Sequence, residues 1–529
     1  MPTETETVED LIKTARTTPS EDIARRIMTE AGAGASADMM GQVLKGLGVA
    51  DDIIQKTIST STGLVAFDLQ APAKNLYPVA TPIRNRLPRV GGGTGTATNW
   101  RQVNAIIGSG FDAMGWVPEG QRSGQMSYST SSKAASYATL GEEDAITYEA
   151  IHAARGFEDA QARMTMRLLQ KTFLKEEFAV MGGNNSLQLG TPVAAVLSAG
   201  GSGATLPALT YSVIVVALTL EGYANSVKLA GSLSIPTTKT ITGADGKTFT
   251  LNGGSSNKSA SATQVITLGQ VLSASVTPIS GAVGYAWFVG AVGSETLQAI
   301  TTVNSATFSA PLTGGAQAAT TVTADSSTNS TAFDGLLTAG FKPANGAQVI
   351  TLPTGTAGVG TVLTASGKGS VVEIDNLLLS MWNAYQVSPS VIYVNAQELK
   401  NITTKVLQGS SAPLLQYFAD PKQGEYRLAA GGTIEFYFNP FMLDGGMKIP
   451  IKIHPNLPPG TILAWAENLP VQYQSNEVPN VAEIKTRQDF YQIDWPIVTR
   501  QRQVGVYVEE VLALYAPFAI GIITNIANG

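Results

Sequence analysis

The longest uninterrupted helix pattern in this chain of 529 residues lies between residues 155 and 181. No glycine or proline follows Gly156 until Gly182 and Gly183, and these two glycines are suitable for ending a helix. Apolar side chains recur on one face, at Phe157, Met164 and Leu168. About 25 residues at 1.5 Å each give a helix of about 38 Å. A single element of this length predicts a spine against which other elements pack.

Two different patterns precede this helix. Residues 63–90 contain four prolines, which prevent a regular helix and predict an extended segment. Residues 91–147 begin with a glycine cluster and contain strand-like runs at 99–107 and 136–140, separated by a polar stretch from 119 to 133. This order predicts a long two-stranded hairpin with a mobile tip. Because a lone hairpin is only marginally stable in water, we expect a neighbouring surface to cover it.

Residues 200–320 have a different composition. Charged residues are sparse there, and Ser, Thr, Gly, Ala and Val dominate. Short β-prone runs alternate with glycine turns, a pattern typical of an immunoglobulin-like β-sandwich, and Trp287 is the expected aromatic of its core. Because helical and mixed character resumes afterwards, we predict an inserted all-β domain.

The remainder of the chain indicates a mixed domain, so the predicted fold class is α+β. A helix with inward-facing Leu377 and Met381 ends at Pro389 and precedes a buried strand at Val391–Asn395. Another helix is predicted over 396–407, and strands alternate with loops from 432 to 529. The longest apolar runs, including the tail Val511–Ile523, are shorter than the ~20 residues of a membrane helix, so we expect no membrane partner and a buried strand in the tail.

Composition excludes several classes of function. Charged residues make up only 14% of the chain, against about a quarter in typical domains, which predicts surface hidden by partners or Ser/Thr/Gly-rich β modules. The net charge of -6 argues against a dedicated nucleic-acid binder. The chain has no cysteine and only two histidines, so thiolate sites are impossible and multi-histidine metal sites are nearly excluded. We expect no cofactor, no metal and no enzymatic activity.

The individual chemical signals are incomplete. Gly246–Lys247 lacks the earlier glycine of a phosphate-binding loop, because Ile241 occupies that position. His152 is predicted to be a surface or capping residue and His454 a structural one. Adjacent acidic residues on a helix or strand point apart, so solvated positions are predicted for the pairs Glu142–Glu143, Glu176–Glu177 and Glu509–Glu510. A gathering of the loop acids around a cation stays open for Asp420, Glu425 and Asp444.

The order of these parts resembles the tailed-bacteriophage major capsid proteins of the Hong Kong 97-type fold. The resemblance covers roughly residues 60–200 and 330–529. It rests on the order of the segments and on the general character of their sequences, because this family has no short diagnostic motif. The segments that carry it are a helical N-terminal arm, a glycine-flanked hairpin containing GWVPEG, the spine-helix sequence ITYEAIHAARGFEDAQARM, the mixed segment VEIDNLLLSMWNAYQVSPSVIYVN and the tail EEVLALYAPFAIGIITNI.

The resemblance implies a division of the chain into seven parts. These are a helical N-terminal arm (1–62), an extended crossing segment (63–90), an extended loop (91–147), the spine helix and peripheral domain (148–199), the inserted immunoglobulin-like sandwich (200–320), an axial domain (321–440), and the axial and peripheral return with the C-terminal strands (441–529).

The resemblance also implies a function. The chain is expected to assemble into pentamers and hexamers of an icosahedral phage head around double-stranded DNA, without sequence-specific DNA binding. Further partners would be scaffolding, portal and decoration proteins. Its location would be the virion capsid, with synthesis in the host bacterial cytoplasm, which the acidic N-terminus without a signal pattern also favours. The alternative is a cell-surface or carbohydrate-binding protein that acts through the immunoglobulin-like block.

Three residues are candidate inter-subunit contacts. Trp116 and Met114 flank the start of the hairpin excursion; exposed, they would anchor an interface, and buried, they would be ordinary core. Lys133 is the only lysine of residues 91–147. Some members of the resembled family crosslink a lysine to an asparagine between subunits, but a solvated lysine on the loop tip is the preferred interpretation of Lys133.

Overall fold

A computed structural model describes residues 80–107, 115–125, 127–155, 159–313, 317–366, 369–409, 416–419, 426–429, 434–442, 446–469 and 480–527. All of them belong to one unit of the chain, Tyr77–Gly529, and they confirm the α+β class. A second unit spans Met1–Leu76. The predicted N-terminal arm, most of the crossing segment, Met114 and the loop acids Asp420, Glu425 and Asp444 lie outside the described residues.

Strands outnumber helices in the described ranges. The helices are α1 (Tyr148–Ala153), α2 (Ala160–Gly182), α3 (Leu220–Ala224), α4 (Leu336–Phe341), α5 (Val372–Tyr385) and α6 (Ala396–Gly409). Short 3₁₀ turns span Arg84–Arg86, Ala319–Thr321, Pro343–Asn345 and Pro517–Ala519. The strands are β1 (Arg89–Val90), β2 (Ala97–Ile107), β3 (Ser127–Ser136), β4 (Ala138–Thr147), β5 (Val196–Gly200), β6 (Leu209–Leu218), β7 (Thr238–Thr242), β8 (Thr248–Asn252), β9 (Ala262–Ile266), β10 (Val271–Ser275), β11 (Gly284–Gly290), β12 (Thr296–Thr301), β13 (Ser305–Phe308), β14 (Gln348–Thr351), β15 (Val391–Val394), β16 (Gln416–Ala419), β17 (Tyr426–Ala429), β18 (Phe436–Asn439), β19 (Met447–Ile453), β20 (Ile462–Trp465), β21 (Ala482–Asp494), β22 (Gln501–Leu514) and β23 (Ile520–Thr524).

The predicted spine helix is present as α2, and its ends follow from local chemistry. The Asp159 side chain caps the first turn by accepting from the backbone N–H groups of Gln161 and Ala162, both at 3.1 Å. The helix ends at Gly182, as predicted, and the Gly183 N–H bonds to the carbonyl of Ala179 at 2.8 Å. A side chain at Gly183 would lie 2.5 Å from a backbone oxygen of Phe333, so this end of the helix requires glycine.

Helix α2 packs on a four-stranded sheet with the order β1-β21-β22-β4. Strand β1 runs parallel to β21, and the other neighbours are antiparallel. Met164 and Leu168 of the helix are buried against Val504 and Val506 of β22. The helix and this sheet therefore form one layered body.

A two-stranded ribbon of β2 and β3 precedes this sheet in the chain. Its return strand is Ser127–Ser136, so the prediction of a return strand at 136–140 is wrong: those residues lie at the end of β3 and in β4, and β4 pairs with β22. The return strand has no apolar alternation in its sequence, SYSTSSKAAS, and therefore no strand signal. Lys133 lies within it, opposite Trp100, rather than at a loop tip.

The largest core surrounds a six-stranded mixed sheet with the order β14-β23-β20-β15-β19-β18. All residues of β15 are buried, which confirms the strand predicted there. Helix α5 buries Leu377 and Met381 beside β23, and Gly521 provides the space for both side chains. The apolar tail is not one strand, because Pro517 starts a 3₁₀ turn between β22 and β23.

Strands β5, β6 and β9–β13 form a β-sandwich. One sheet has the order β13-β10-β5, the other β12-β11-β6-β9, and both contribute to a shared core. Trp287 is fully buried there and donates its indole N–H to Thr301 Oγ1 at 2.9 Å. The predicted aromatic of the core is thus confirmed.

Buried amides join the sandwich to the six-stranded sheet. The backbone N–H of Asn304 donates to Asn525 Oδ1 at 2.9 Å, and Asn525 Nδ2 donates back to Asn304 Oδ1 at 3.0 Å. Asn525 has a φ of 64°, a conformation that asparagine tolerates better than most residues. Its side chain also donates to the carbonyl of Leu352 at 2.7 Å. The sandwich is therefore fixed by specific, fully buried hydrogen bonds.

Candidate assembly surface

The base of the ribbon is fixed to the body of the protein. At its open end, the N–H of Tyr137 bonds to the carbonyl of Thr96 at 3.1 Å. The Trp100 indole N–H donates to the carbonyl of Leu514 at the end of β22, at 2.9 Å. Gln102, further along β2, is only 3% exposed and donates to Asn345 Oδ1 at 3.4 Å. These contacts set the direction in which the ribbon leaves the body.

The far end of the ribbon is uncovered. Every described residue from 115 to 125 is exposed, and Trp116 and Val117 are 92% and 44% exposed. Among the described residues, no third strand pairs with either edge of the ribbon. An indole that is almost completely exposed to water loses the free energy that burial would provide, about 25 cal/mol for each Å². The tip therefore offers an apolar side chain and two unpaired edges.

The two predicted contact residues that the structure describes, Trp116 and Lys133, differ in exposure and in position along the ribbon. Trp116 is exposed, which is the condition for an interface anchor rather than a core residue. Lys133 is half-buried at the base half of the ribbon, far in sequence from Trp116. The structure thus does not bring them together, and the role of each in an interface stays a prediction.

A second apolar tip was missed by sequence reasoning. The connection between β21 and β22 exposes Ile497 and Val498, at 61% and 89%, beside the partly exposed Trp495. The signal in the sequence was the short apolar run WPIV, which contains a proline. It was overlooked because the charged strand β21 was itself not predicted.

A buried cluster of charges fixes the segment that leads into the ribbon. Glu176 of α2 is fully buried; Arg84 Nε bonds to it at 2.5 Å, and Arg89 also bonds to it. Arg89 reaches Glu510 of β22 at 3.0 Å with its other terminal nitrogen, and Asp489 of β21 at 2.9 Å. The Arg84 guanidinium lies 3.7 Å from the centre of the ring of Phe173. The turn, β1, α2 and the sheet are therefore joined by charge-assisted hydrogen bonds.

Glu177, the neighbour of Glu176, is also fully buried. It accepts hydrogen bonds from the backbone N–H groups of Ile83 and Arg84, at 2.9 and 2.7 Å, and contacts His454 Nε2 at 2.6 Å. The prediction that this glutamate pair is solvated is wrong, because partners more than 90 residues earlier in the chain cover it. His454 is fully buried and His152 exposed, in line with the structural and surface positions expected for them.

Glu510 differs electrostatically from its neighbour Glu509. Burial, together with the charge of Glu176, raises the pKa of Glu510 to about 8, against the opposing effect of Arg89. Its Oε1 has no hydrogen-bond partner among the described residues. The hydrogen bond from Arg487 instead lowers the pKa of Glu509. The two side chains do point apart, as predicted, but the prediction that the pair is solvated is wrong for Glu510, which is fully buried beside Arg89 of β1.

Two kinds of feature are absent from the described residues. No three histidine, aspartate or glutamate side chains gather in a way that would hold a metal ion. No helix within the described ranges has the length and apolar character needed to cross a membrane.

The chain is similar to several solved shell structures. The capsid of the cyanophage P-SCSP1u has a TM-score of 0.37 at 9% identity, with 97% of this chain and 99% of that chain covered. Mycobacterium phage Bobi has a TM-score of 0.37 at 10% identity, with 90% and 97% covered. The holo-SrpI encapsulin complex from Synechococcus elongatus has a TM-score of 0.36 at 9% identity, with 88% and 93% covered. No family model and no curated protein matches the sequence.

Proposed function

We propose that this chain is a shell-forming subunit, the major capsid protein of a tailed bacteriophage. The observation that supports this most strongly is the ribbon, which is fixed at its base and exposed over all described residues of its tip. A protruding two-stranded ribbon is marginal in water by itself. It gains stability when a second copy covers its edges and its exposed indole.

The low share of charged residues supports the same proposal. Only 14% of the chain is charged, and exposed apolar side chains occur at the ribbon tip and at the tip between β21 and β22. In a shell, each such contact is repeated by symmetry, so individually weak contacts add up. In such a shell, an exposed apolar tip becomes buried in a subunit interface on assembly, so it need not promote aggregation.

The finer features of the proposal follow from the resemblance in the sequence. Copies would form pentamers and hexamers of an icosahedral head that encloses double-stranded DNA, in the virion capsid after synthesis in the host cytoplasm. Scaffolding, portal and decoration proteins would be further partners. We also propose the seven-part division of the chain, with an immunoglobulin-like sandwich at 200–320 and an axial domain at 321–440.

Deletion of the ribbon tests the proposal. Val103 and Thr130 pair across the ribbon, so a short Gly/Ser linker can replace residues 104–129 and leave the contacts of Trp100 and Gln102 with the body in place. The full chain, coexpressed with scaffolding where needed, should form particles in sedimentation and negative-stain images. The deletion variant should remain folded and unassembled. Particles of normal size from the deletion variant, or a full chain that stays monomeric under all assembly conditions, would contradict the proposal.

A further inference from the structure

The buried charges under the ribbon base do not balance. Three carboxylates, Glu176, Glu177 and Glu510, have fully buried side chains. Two guanidinium groups face them, those of Arg84 and Arg89, with side chains that are 14% and 22% exposed. The nearby carboxylate of β21 is 61% exposed and is therefore solvated. One buried carboxylate is left without a countercharge unless the cluster holds a proton.

Histidine 454 does not supply the missing positive charge. His454 Nδ1 accepts a hydrogen bond from the backbone N–H of Asn456 at 3.2 Å, so this nitrogen carries no proton. The proton of the ring is then on Nε2, which donates to Glu177 Oε1 at 2.6 Å. A ring with one proton is neutral. Glu177 is nevertheless satisfied, because it also accepts two backbone N–H groups.

The excess negative charge therefore lies at Glu176 and Glu510. Arg89 spans both, with one terminal nitrogen on Glu176 and the other on Glu510, so both carboxyl groups contact the same guanidinium. Glu510 Oε1 is buried and unpaired among the described residues. A buried, unpaired and ionised oxygen is costly, and a group in that position takes up a proton instead.

We propose that Glu176 and Glu510 hold one buried proton between their carboxyl groups, so that the junction of α2, β1 and β22 is a proton-binding site. The charged and titratable groups that face it are Arg84 from the 3₁₀ turn, Arg89 from β1, Glu177 from α2, Asp489 from β21 and, behind Glu177, His454 after β19. The direction of the raised pKa of Glu510 agrees with this assignment. The inference goes beyond shell assembly and does not depend on it.

The proton has a consequence for stability with a definite sign. The folded chain binds the proton more tightly than the unfolded chain, in which a glutamate has a pKa of about 4.3. The stability that this site contributes is therefore fully present below about pH 4.3 and is lost as the pH rises towards the raised pKa. Over that range the unfolding equilibrium constant increases about tenfold for each pH unit. Above the raised pKa the loss levels off.

Glu510→Gln isolates this effect. The amide keeps an acceptor for Arg89, provides an N–H donor in place of the bound proton, and does not titrate. Chemical unfolding of the dispersed full chain is measured between pH 5 and pH 9 for both proteins. The ratio of the wild-type to the Glu510→Gln unfolding constant should rise about tenfold per pH unit and then level off. The control Glu509→Gln, at the adjacent position where the hydrogen bond from Arg487 lowers the pKa of the carboxyl group, should not show this rise.

Two outcomes would overturn the proposal. One is a ratio for Glu510→Gln that does not change with pH. The other is an unfolding constant that still depends on pH in Glu510→Gln but no longer does so in His454→Asn. That result would place the proton on the imidazole. Infrared spectra of the wild-type chain provide a measurement that does not depend on the folding of a variant. We expect a band from a protonated carboxyl group at neutral pH that disappears at alkaline pH. Absence of this band at neutral pH would contradict the assignment.

Discussion

Trp116→Ala should weaken assembly strongly and leave the isolated chain unchanged. The side chain is 92% exposed, so of the roughly 200 Å² of a tryptophan nearly all is available for burial by a partner. At about 25 cal/mol per Å² the upper limit is about 4.5 kcal/mol per contact. An interface covers only part of it and alanine retains some area, so we expect about 2–3 kcal/mol, or about 30- to 150-fold in the association constant of each contact.

The assay separates assembly from folding. The critical concentration for assembly is measured by light scattering and sedimentation, and the free energy of unfolding by denaturant titration of the dispersed chain. Because Trp116 is exposed in the single chain, its unfolding free energy should change by less than about 0.5 kcal/mol. Trp116→Phe retains most of the aromatic area and should assemble at nearly the wild-type concentration. Assembly of Trp116→Ala at the wild-type concentration would refute the reasoning.

Three further predictions concern the body of the protein. Trp287→Ala should cost about 3–5 kcal/mol of unfolding free energy in denaturant titrations, because it leaves a cavity between the two sheets of the sandwich; an unchanged midpoint would contradict its role in the core. Asn525→Ala should cost about 2–3 kcal/mol, because it leaves the buried amide of Asn304 and the buried carbonyl of Leu352 unpaired. The partly buried Asn185→Ala, whose backbone bond to Asp334 persists, should change little. Burial raises the pKa of Glu398, so the wild type should lose stability relative to Glu398→Gln as the pH rises above about 4.3, the pKa of an unfolded glutamate; a pH-independent difference would exclude this.

The features predicted correctly from the sequence are those whose signal is local. The end of α2 at Gly182 follows from a glycine pair, and the buried strand Val391–Val394 follows from a short apolar run before a helix. Trp287 stands in an apolar run with glycine at both ends, which is typical of a core strand. In each case the residues that determine the element lie within it.

The features that were missed depend on distant partners. The return strand of the ribbon is rich in serine and buries no regular face, so only its pairing with β2 defines it. Glu176 and Glu177 were expected in water because adjacent acids on a helix usually are; their partners Arg84 and Arg89 come from a segment that no pattern links to α2. Strand β21 alternates charged and apolar residues irregularly, so its position between β1 and β22 was not visible.

A crosslink from the ribbon tip tests most directly whether another copy covers it. The chain has no cysteine, so Ser123→Cys, at an exposed position of the same tip, provides a unique attachment point for a short photo-crosslinker and leaves Trp116 in place. Isotopically light and heavy chains are mixed, assembled and irradiated, and the crosslinked peptides are identified by mass spectrometry. Peptide pairs that combine a light and a heavy chain are predicted. Pairs that are always light–light or heavy–heavy would show that the tip contacts its own chain, which would contradict the account.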